Sequence, residues 1–279
     1  MPELPEVETI MRGLRPVLTG RTFVAAEVLW ANTVATPDVK SFCETLTGAI
    51  VQALGRRGKY IIITLDGGWT LLIHLRMSGK FVLRAPGADD ENTTHTRVRL
   101  RLDDGVEVVY VDPRKFGRFF LVKDPAEVVG DLGPEPLSPA FTATWLAENL
   151  SGRQGEIKRL LLDQRFIVGL GNIYVSEALW RAQIHPLRVA GTLSADEVKR
   201  LHVAIVEVLA NAVAQGGSSL DDRQYVAPDG QLGRYQNALC VYDRAGEQCP
   251  RCKYTLERIV QGQRSTYFCP VCQPLATTS

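Results

Sequence analysis

Apolar side chains recur every three or four positions at the start of the chain. Val7, Ile10 and Leu14 fall on one helical face, and Pro5 is acceptable in a first helical turn. This spacing predicts a helix over residues 3–18.

Short segments with a β-like pattern follow this helix. They cover residues 60–65, 70–75, 98–102 and 106–111, and turns rich in aspartate and glycine separate them. Many short strands with turn signals are typical of a sandwich or a barrel. We therefore interpret residues 1–134 as a β-rich domain that begins with a helix.

The pattern becomes helical after a turn-rich segment that contains three prolines. Residues 135–150 are interpreted as a linker. Residues 194–214 form the strongest amphipathic pattern, with Ser194 and Glu197 placed as a capping box. We interpret residues 151–238 as a helical domain that ends in a polar, glycine-containing loop.

The last segment, residues 239–279, holds two Cys-x-x-Cys pairs. They are Cys249 with Cys252 and Cys269 with Cys272. Each tight turn can present two sulfurs to one ion, and a hairpin brings the pairs together, which predicts one closed, structural Zn²⁺ site. Two unrelated thiol pairs are the alternative.

Composition narrows the class of protein further. The chain has 279 residues, of which 45% are hydrophobic, and a formal net charge of +1. That charge argues against coating nucleic acid by bulk charge, but it allows a local basic face. Neither a membrane span nor a signal peptide is evident, so we expect a cytoplasmic protein. Cys43 and Cys240 are interpreted as structural thiols.

Several motifs occur in an order that resembles the formamidopyrimidine-DNA glycosylase family. They are MPELPEVE (1–8), HLRMSG (74–79), DPRKFG (112–117), GLGNIYVSEALW (169–180) and the four cysteines. The resemblance covers nearly the whole chain. It implies an α+β fold with an N-terminal β-sandwich and flanking helices, a helix–two-turn–helix domain and a C-terminal zinc ribbon hairpin.

The resemblance also implies an unusual nucleophile. Loss of Met1 would leave Pro2 with a free amine, and terminal amines are less basic than lysine, with pKa values of about 8 against about 10.4. Attack of the Pro2 amine on a sugar would give a Schiff base and couple base removal to strand cleavage. Glu3 is implied as the acid that protonates the opening sugar. Glu6 either supports this chemistry or, like Glu8, stabilises the helix N-terminus.

Two basic residues receive catalytic roles from the same resemblance. Lys59 is implied to assist proton transfer during β-elimination. Arg264, at the tip of the zinc hairpin, is implied to bind the phosphates beside the damaged nucleotide and to assist δ-elimination, since an arginine fork suits bidentate phosphate contact.

Four further positions match residues that contact DNA in the family. They are His95, Arg153, Lys158 and Asn172; Asp163 matches a residue that braces the helical architecture. His95 could also be an ordinary surface histidine.

Met77, Arg114 and Phe116 match residues that act when a base is flipped out of the duplex. Met77 is implied to fill the vacated space, Phe116 to wedge the base step and Arg114 to read the opposite cytosine. The alternative places Met77 and Phe116 in the core, but their polar, turn-like surroundings favour projecting loops.

The implied partner is double-stranded DNA that contains an oxidised purine or an abasic site, bound by a monomer associated with the nucleoid. The related endonuclease VIII group prefers oxidised pyrimidines, has a Pro-Glu-Gly-Pro start and lacks the motif at 112–117. The sequence therefore favours 8-oxoguanine opposite cytosine and formamidopyrimidines, with residues 216–236 as a loop that caps the base. A non-enzymatic binder of damaged DNA and a zinc-ribbon partner of RNA or protein machinery are two competing hypotheses.

Overall fold

The computed structural model describes residues 1–88, 93–219, 225, 228 and 230–275. The helices within them are α1 (Leu4–Leu18), α2 (Val39–Leu46), α3 (Ala126–Val129), α4 (Ala143–Leu150), α5 (Ile157–Leu161), α6 (Asn172–Ala182) and α7 (Ala195–Ala214). The strands are β1 (Phe23–Val28), β2 (Val34–Thr36), β3 (Val51–Arg57), β4 (Tyr60–Leu65), β5 (Thr70–His74), β6 (Lys80–Arg84), β7 (Thr96–Leu102), β8 (Glu107–Val111), β9 (Arg118–Val122), β10 (Glu257–Gln261) and β11 (Arg264–Phe268). None of the helices in this described part is long and apolar enough to cross a membrane.

The chain divides into two compact units. The first consists of Met1–Asp131 and Gln215–Gln236, and the second of Leu132–Ala214 and the chain from Asn237 onward. The segment 215–236 therefore belongs with the β-rich unit, although its sequence position had suggested the helical domain. Parts of this predicted capping loop, residues 220–224, 226, 227 and 229, lie outside the described residues.

The first unit is built on two sheets that share one hydrophobic core. Their strand orders are β1-β7-β8-β6 and β2-β9-β5-β4-β3, and all neighbours are antiparallel except the β2–β9 pair. Aromatic side chains of both sheets meet in this core, with ring centroids 4.9 Å apart for Tyr110 and Phe119. Together with the helices of the second unit, this sandwich confirms the predicted α+β class.

Helix α1 forms where the apolar spacing predicted it. Its buried face, which includes Val7, Ile10 and Leu14, joins the core of the sandwich. Pro5 lies in the first turn, where its missing N–H has no helical partner to lose. The helix therefore fixes the start of the chain against the sandwich.

In the described residues of the second unit, the helices α4 to α7 are joined by one hairpin of named strands, β10–β11. Helix α7 begins with the predicted capping box, since Glu197 accepts the Ser194 N–H at 2.7 Å and the Ser194 hydroxyl accepts the Glu197 N–H at 3.3 Å. The predicted linker needs correction, because its second half forms α4. Thr142 caps this helix and Leu146 is buried, features that the proline-rich start of the segment obscured.

We expect Leu14→Ala to lower the free energy of unfolding by about 2–5 kcal/mol, because the fully buried side chain would leave a cavity in the core. Leu29→Ala is the matched control, since Leu29 is 44% exposed and should cost less than about 1 kcal/mol. Urea denaturation measures both values. Equal losses would contradict the assignment of α1 to the core.

Candidate functional site

The start of the chain is held by a buried carboxylate. Pro2 and Glu3 are buried ahead of α1. Glu6 accepts the Glu3 N–H and the Ser218 N–H, both at 2.8 Å, with a different carboxylate oxygen for each. Gly217 adjoins this contact, and a Cβ there would overlap the Glu6 side chain. Glu6 therefore fixes the first residues to the beginning of segment 215–236.

A second contact orders the turn that carries Lys59. Arg56 donates to Glu8 at 2.8 Å and to the Gly58 carbonyl at 2.9 Å. Burial raises the pKa of Glu8, but the hydrogen bonds and charges of Arg56 and Arg12 outweigh it and hold that pKa below its usual value. This ionised Glu8 is thus a structural ion-pair partner, and the buried Lys59 follows directly after the braced turn.

Residue His74 lies at the end of β5 near Lys59. Its Nδ1 accepts the Arg76 N–H at 3.0 Å, and its ring packs edge-on against Tyr60 with centroids 4.7 Å apart. Burial, and then the charges of Arg76 and Lys59, lower the pKa of His74 to about 3. The imidazole is therefore neutral near pH 7 and adds no positive charge beside Lys59.

The two apolar residues of the predicted wedge both project from the surface. Met77 is 38% exposed and Phe116 is 49% exposed, which excludes their placement in the core. Each follows a non-glycine residue with left-handed backbone, Arg76 with φ 58° and Lys115 with φ 61°. The Arg114 guanidinium lies 5.1 Å from the centre of the Phe116 ring. His95, directly before β7, is also exposed.

Four cysteines of the second unit form a metal-binding cluster. The ligand atoms of Cys249, Cys252, Cys269 and Cys272 all lie within 4.8 Å of one another. Sulfurs of Cys249 and Cys272 are 3.9 Å apart and those of Cys252 and Cys269 are 3.4 Å apart. Tetrahedral thiolate coordination at about 2.3 Å requires sulfur separations of about 3.8 Å, so the cluster fits one structural zinc ion.

The β10–β11 hairpin, which lies between the two cysteine pairs, carries Arg264 at its tip. Gly262 and Gln263 have φ of 54° and 62°, as a tight two-residue β-turn requires, and the Arg264 side chain is exposed. The adjacent Ser265 carbonyl accepts hydrogen bonds from Lys158 Nζ at 3.2 Å and Asn172 Nδ2 at 2.9 Å. The tip is therefore held by side chains as well as by the cysteine cluster.

Lys158 is one of the side chains that hold the hairpin. Its side chain is buried, with 1% of the residue exposed, and its ammonium also donates to the Thr266 hydroxyl at 2.7 Å. These acceptors tie the Lys158 ammonium to the hairpin, so this side chain supports the hairpin. Asn172 shares this task from the first turn of α6.

Two other predicted residues lie on the surface of the second unit. Arg153 is exposed and borders a groove of about 480 Å³ that Arg159 and Asp163 also line. The Asp163 carboxylate accepts the Arg165 N–H at 2.9 Å and braces the turn after α5.

Sequence reasoning missed Glu177, a fully buried carboxylate on α6. Its oxygens accept the N–H groups of Cys240, Val241 and Tyr242, each at 2.9 Å. Burial raises the pKa of Glu177, although these three hydrogen bonds oppose that effect. Burial also raises the pKa of Cys240 to about 11, so this thiol stays protonated outside the zinc cluster. The available signal was a glutamate whose neighbours along α6 are nearly all buried.

Comparison with known proteins gives this arrangement a family. The profiles that match describe a formamidopyrimidine-DNA glycosylase N-terminal domain (residues 1–119), an H2TH domain of the same enzyme (132–224) and a zinc finger found in FPG and IleRS (246–275). A formamidopyrimidine-DNA glycosylase of Chloroflexus aggregans is 50% identical over 99% of both chains. One of Roseiflexus sp. is 49% identical over 98% of this chain and 100% of its own.

Solved structures agree. The MutM (FPG) protein of Thermus thermophilus has a TM-score of 0.89 and 41% identity, covering 99% of this chain and 100% of its own. A Lactococcus lactis FPG mutant bound to Fapy-dG DNA has a TM-score of 0.91 and 36% identity, covering 98% and 100%. The fold and site thus define a zinc-containing DNA glycosylase that acts on damaged DNA in base excision repair. The chain belongs to the formamidopyrimidine-DNA glycosylase family.

We expect Cys269→Ser to reduce bound zinc from one ion per chain to nearly none, because three remaining ligands no longer close the site. The segment after residue 239 should then become sensitive to proteolysis, since metal binding supplies its folding free energy. Cys240→Ser is the control and should keep the ion. Elemental analysis measures the zinc bound per chain in both variants. Full zinc retention by Cys269→Ser would contradict the four-cysteine site.

Acid should destabilise the protein partly through His74. Above pH 6.5, His74 is neutral in both the folded and the unfolded chain. Below pH 6.5 the unfolded chain protonates this imidazole, whereas the folded chain does so only near pH 3. Stability from this residue is thus lost as pH falls from 6.5, at up to about 1.4 kcal/mol per pH unit. His74→Asn keeps an acceptor for the Arg76 N–H and should flatten the pH dependence of unfolding between pH 4.5 and 6.5. Parallel curves for variant and wild type would refute this.

Proposed function

We propose that the protein removes 8-oxoguanine paired with cytosine, and formamidopyrimidines, and then nicks the strand by β,δ-elimination through a Schiff base on Pro2. The observation that carries this proposal is the ordered chain start. Pro2 and Glu3 are buried there, and the Glu6 carboxylate accepts the backbone N–H groups of Glu3 and Ser218. Removal of Met1 would leave the Pro2 amine next in the chain to the acid Glu3.

The first step makes one carbon–nitrogen bond and breaks another. The neutral Pro2 amine attacks C1′ of the damaged nucleotide, and the base leaves with its bonding electrons and takes up the proton that the amine nitrogen loses. Glu3 protonates the ring oxygen as the sugar opens, which yields an iminium ion between Pro2 and C1′. This chemistry requires that Met1, which is 43% exposed, has been removed.

Elimination follows because the iminium acidifies the C2′ proton. Loss of that proton expels the 3′ phosphate, and a second elimination expels the 5′ phosphate. Lys59 assists the proton transfer, and Arg264 stabilises the departing phosphate charge. The buried, braced Lys59 turn and the clamped hairpin tip support these roles, since both groups need fixed positions.

Base flipping requires groups that replace the lost base. Met77 fills the space, Phe116 wedges the neighbouring step and Arg114 donates to the unpaired cytosine. Their exposure and the strained residues before Met77 and Phe116 support these assignments.

Duplex DNA with an oxidised purine or an abasic site is the proposed partner of the monomeric enzyme. His95, Arg153 and Asn172 would contact its backbone; the first two are exposed, and Asn172 presents the N-terminus of α6. Relatives from Lactococcus lactis, 36–37% identical to this chain, have been crystallised with DNA that contains N7-benzyl-Fapy-dG or an abasic site. The Asp-Pro-Arg-Lys-Phe-Gly motif favours oxidised purines over the pyrimidines of endonuclease VIII.

Borohydride trapping tests the proposal with one sequence in two forms. Protein that retains Met1 is compared with the same protein after treatment with methionine aminopeptidase, each on a duplex with 8-oxoguanine opposite cytosine. We expect a covalent complex only from the processed form, because a Pro2 amide cannot form an iminium. Tight binding with no complex from the processed form would identify a binder instead, and preferential trapping on oxidised pyrimidines would favour the endonuclease VIII alternative.

A pair of glutamate variants tests whether Glu3 acts as the general acid. Glu3→Gln should lower excision of 8-oxoguanine by about 100-fold or more, the usual contribution of a general acid. It should reduce cleavage of a preformed abasic site far less, because that sugar opens spontaneously. Glu44→Gln is the control, since Glu44 lies on α2 with a 67% exposed side chain, and it should keep excision within about threefold. Equal losses in both assays for Glu3→Gln would contradict its role as the acid.

A further inference from the structure

A buried carboxylate, Asp112, lies beneath the exposed wedge residues. It is fully buried and follows β8. One oxygen accepts the N–H groups of Phe116 and Gly117, both at 2.8 Å. The other accepts the Arg114 N–H at 3.2 Å and the Ser78 hydroxyl at 2.5 Å. A single charged group thus holds two surface loops.

The two loops are distant in sequence. Loop A, residues 75–79, carries Met77, and loop B, residues 112–117, carries Arg114 and Phe116. The hydrogen bond from Ser78 to Asp112 spans 34 positions and is the side-chain link between the loops. The Asp112 N–H also donates to the carbonyl of His95 at 2.9 Å, so a third DNA-facing candidate is attached to the same residue.

Close packing supports the same link. The Tyr110 hydroxyl lies against Gly79 in loop A and Gly117 in loop B, and a Cβ at either glycine would overlap it. Tyr110 is 1% exposed and stacks in the core against Phe119. Both loops therefore rest on one immobile side chain, and a shift of either one changes the fit of the other.

From these contacts we infer that Asp112 is a positioning residue that makes loops A and B move as one body. Insertion of Met77 and Phe116 into the duplex and approach of Arg114 to the opposite base would then occur as one event. This inference rests on the proposed function for the roles of the loops, but the coupling itself is a property of the protein without DNA. Charge-assisted hydrogen bonds to a buried carboxylate suit this purpose, because breaking one leaves a costly unsatisfied group.

Ser78→Ala tests the coupling, since it removes the link and leaves the bonds from Asp112 within loop B. The matched control is Ser41→Ala, which removes the same kind of bond, a hydroxyl to the Asp38 carboxylate at 2.6 Å, from an exposed helix start. In hydrogen exchange without DNA we expect amides of both loops to exchange about tenfold faster in Ser78→Ala and at the wild-type rate in Ser41→Ala. Ser78→Thr keeps the hydroxyl and should restore slow exchange. Unchanged exchange in loop B of Ser78→Ala would overturn the inference.

An activity assay then connects the coupling to base flipping. Ser78→Ala should lower excision of 8-oxoguanine opposite cytosine about tenfold, and cleavage of a preformed abasic site less, because no base then has to leave the stack. Adding Phe116→Ala to Ser78→Ala should cost less than the product of the two single losses. Equal losses on both substrates, or multiplicative losses in the double variant, would overturn the inference. Failure of the wild type to excise 8-oxoguanine would instead refute the proposed function, while the exchange result still decides the coupling.

Discussion

The position of the first residues depends on one carboxylate, that of Glu6, which joins two separate segments of backbone. Glu6 accepts the N–H of Glu3 and that of Ser218, and its residue is only 2% exposed. A terminal amine is the most mobile group in most proteins, because the first residues have few contacts. Here the helix that Glu3 caps and the Glu6 bridge restrain the first residues, which would reduce the entropy that the proposed reaction at Pro2 must overcome.

In the part of the chain that the structure describes, buried carboxylates hold the backbone in this way at three places. Glu6, Asp112 and Glu177 are buried carboxylates, and each accepts two or three backbone N–H groups. Burying a charge is costly unless it is well hydrogen-bonded, and backbone donors satisfy the oxygens without adding mobile side chains. Each carboxylate therefore fixes a loop or a chain segment that regular secondary structure cannot hold. In the second unit, zinc and Lys158 do the same for the hairpin.

Much of this architecture could be predicted from the sequence. Helix α1, strand β4 and the cap of α7 follow from local spacing, and the zinc cluster follows from cysteine pairs whose chemistry leaves few alternatives. Long-range contacts could not be predicted in this way. The burial of Lys158 under the hairpin and the placement of segment 215–236 with the sandwich depend on partners far along the chain. The spacing around Lys158 gives no indication of the acceptors that its ammonium finds in the hairpin more than 100 positions away.

The backbone contacts of the three carboxylates also bear on how such a protein can diverge. Every residue except proline offers an N–H, so Ser218, Phe116 or Val241 could change identity without loss of the hydrogen bond. The acids have no such freedom, because a shorter or neutral side chain leaves donors unsatisfied. Among descendants of a common ancestor, the acids should therefore persist, while residues that they hold only through the backbone, such as Ser218 and Val241, drift. Isolated acids surrounded by variable positions would then mark the fixed points of the fold.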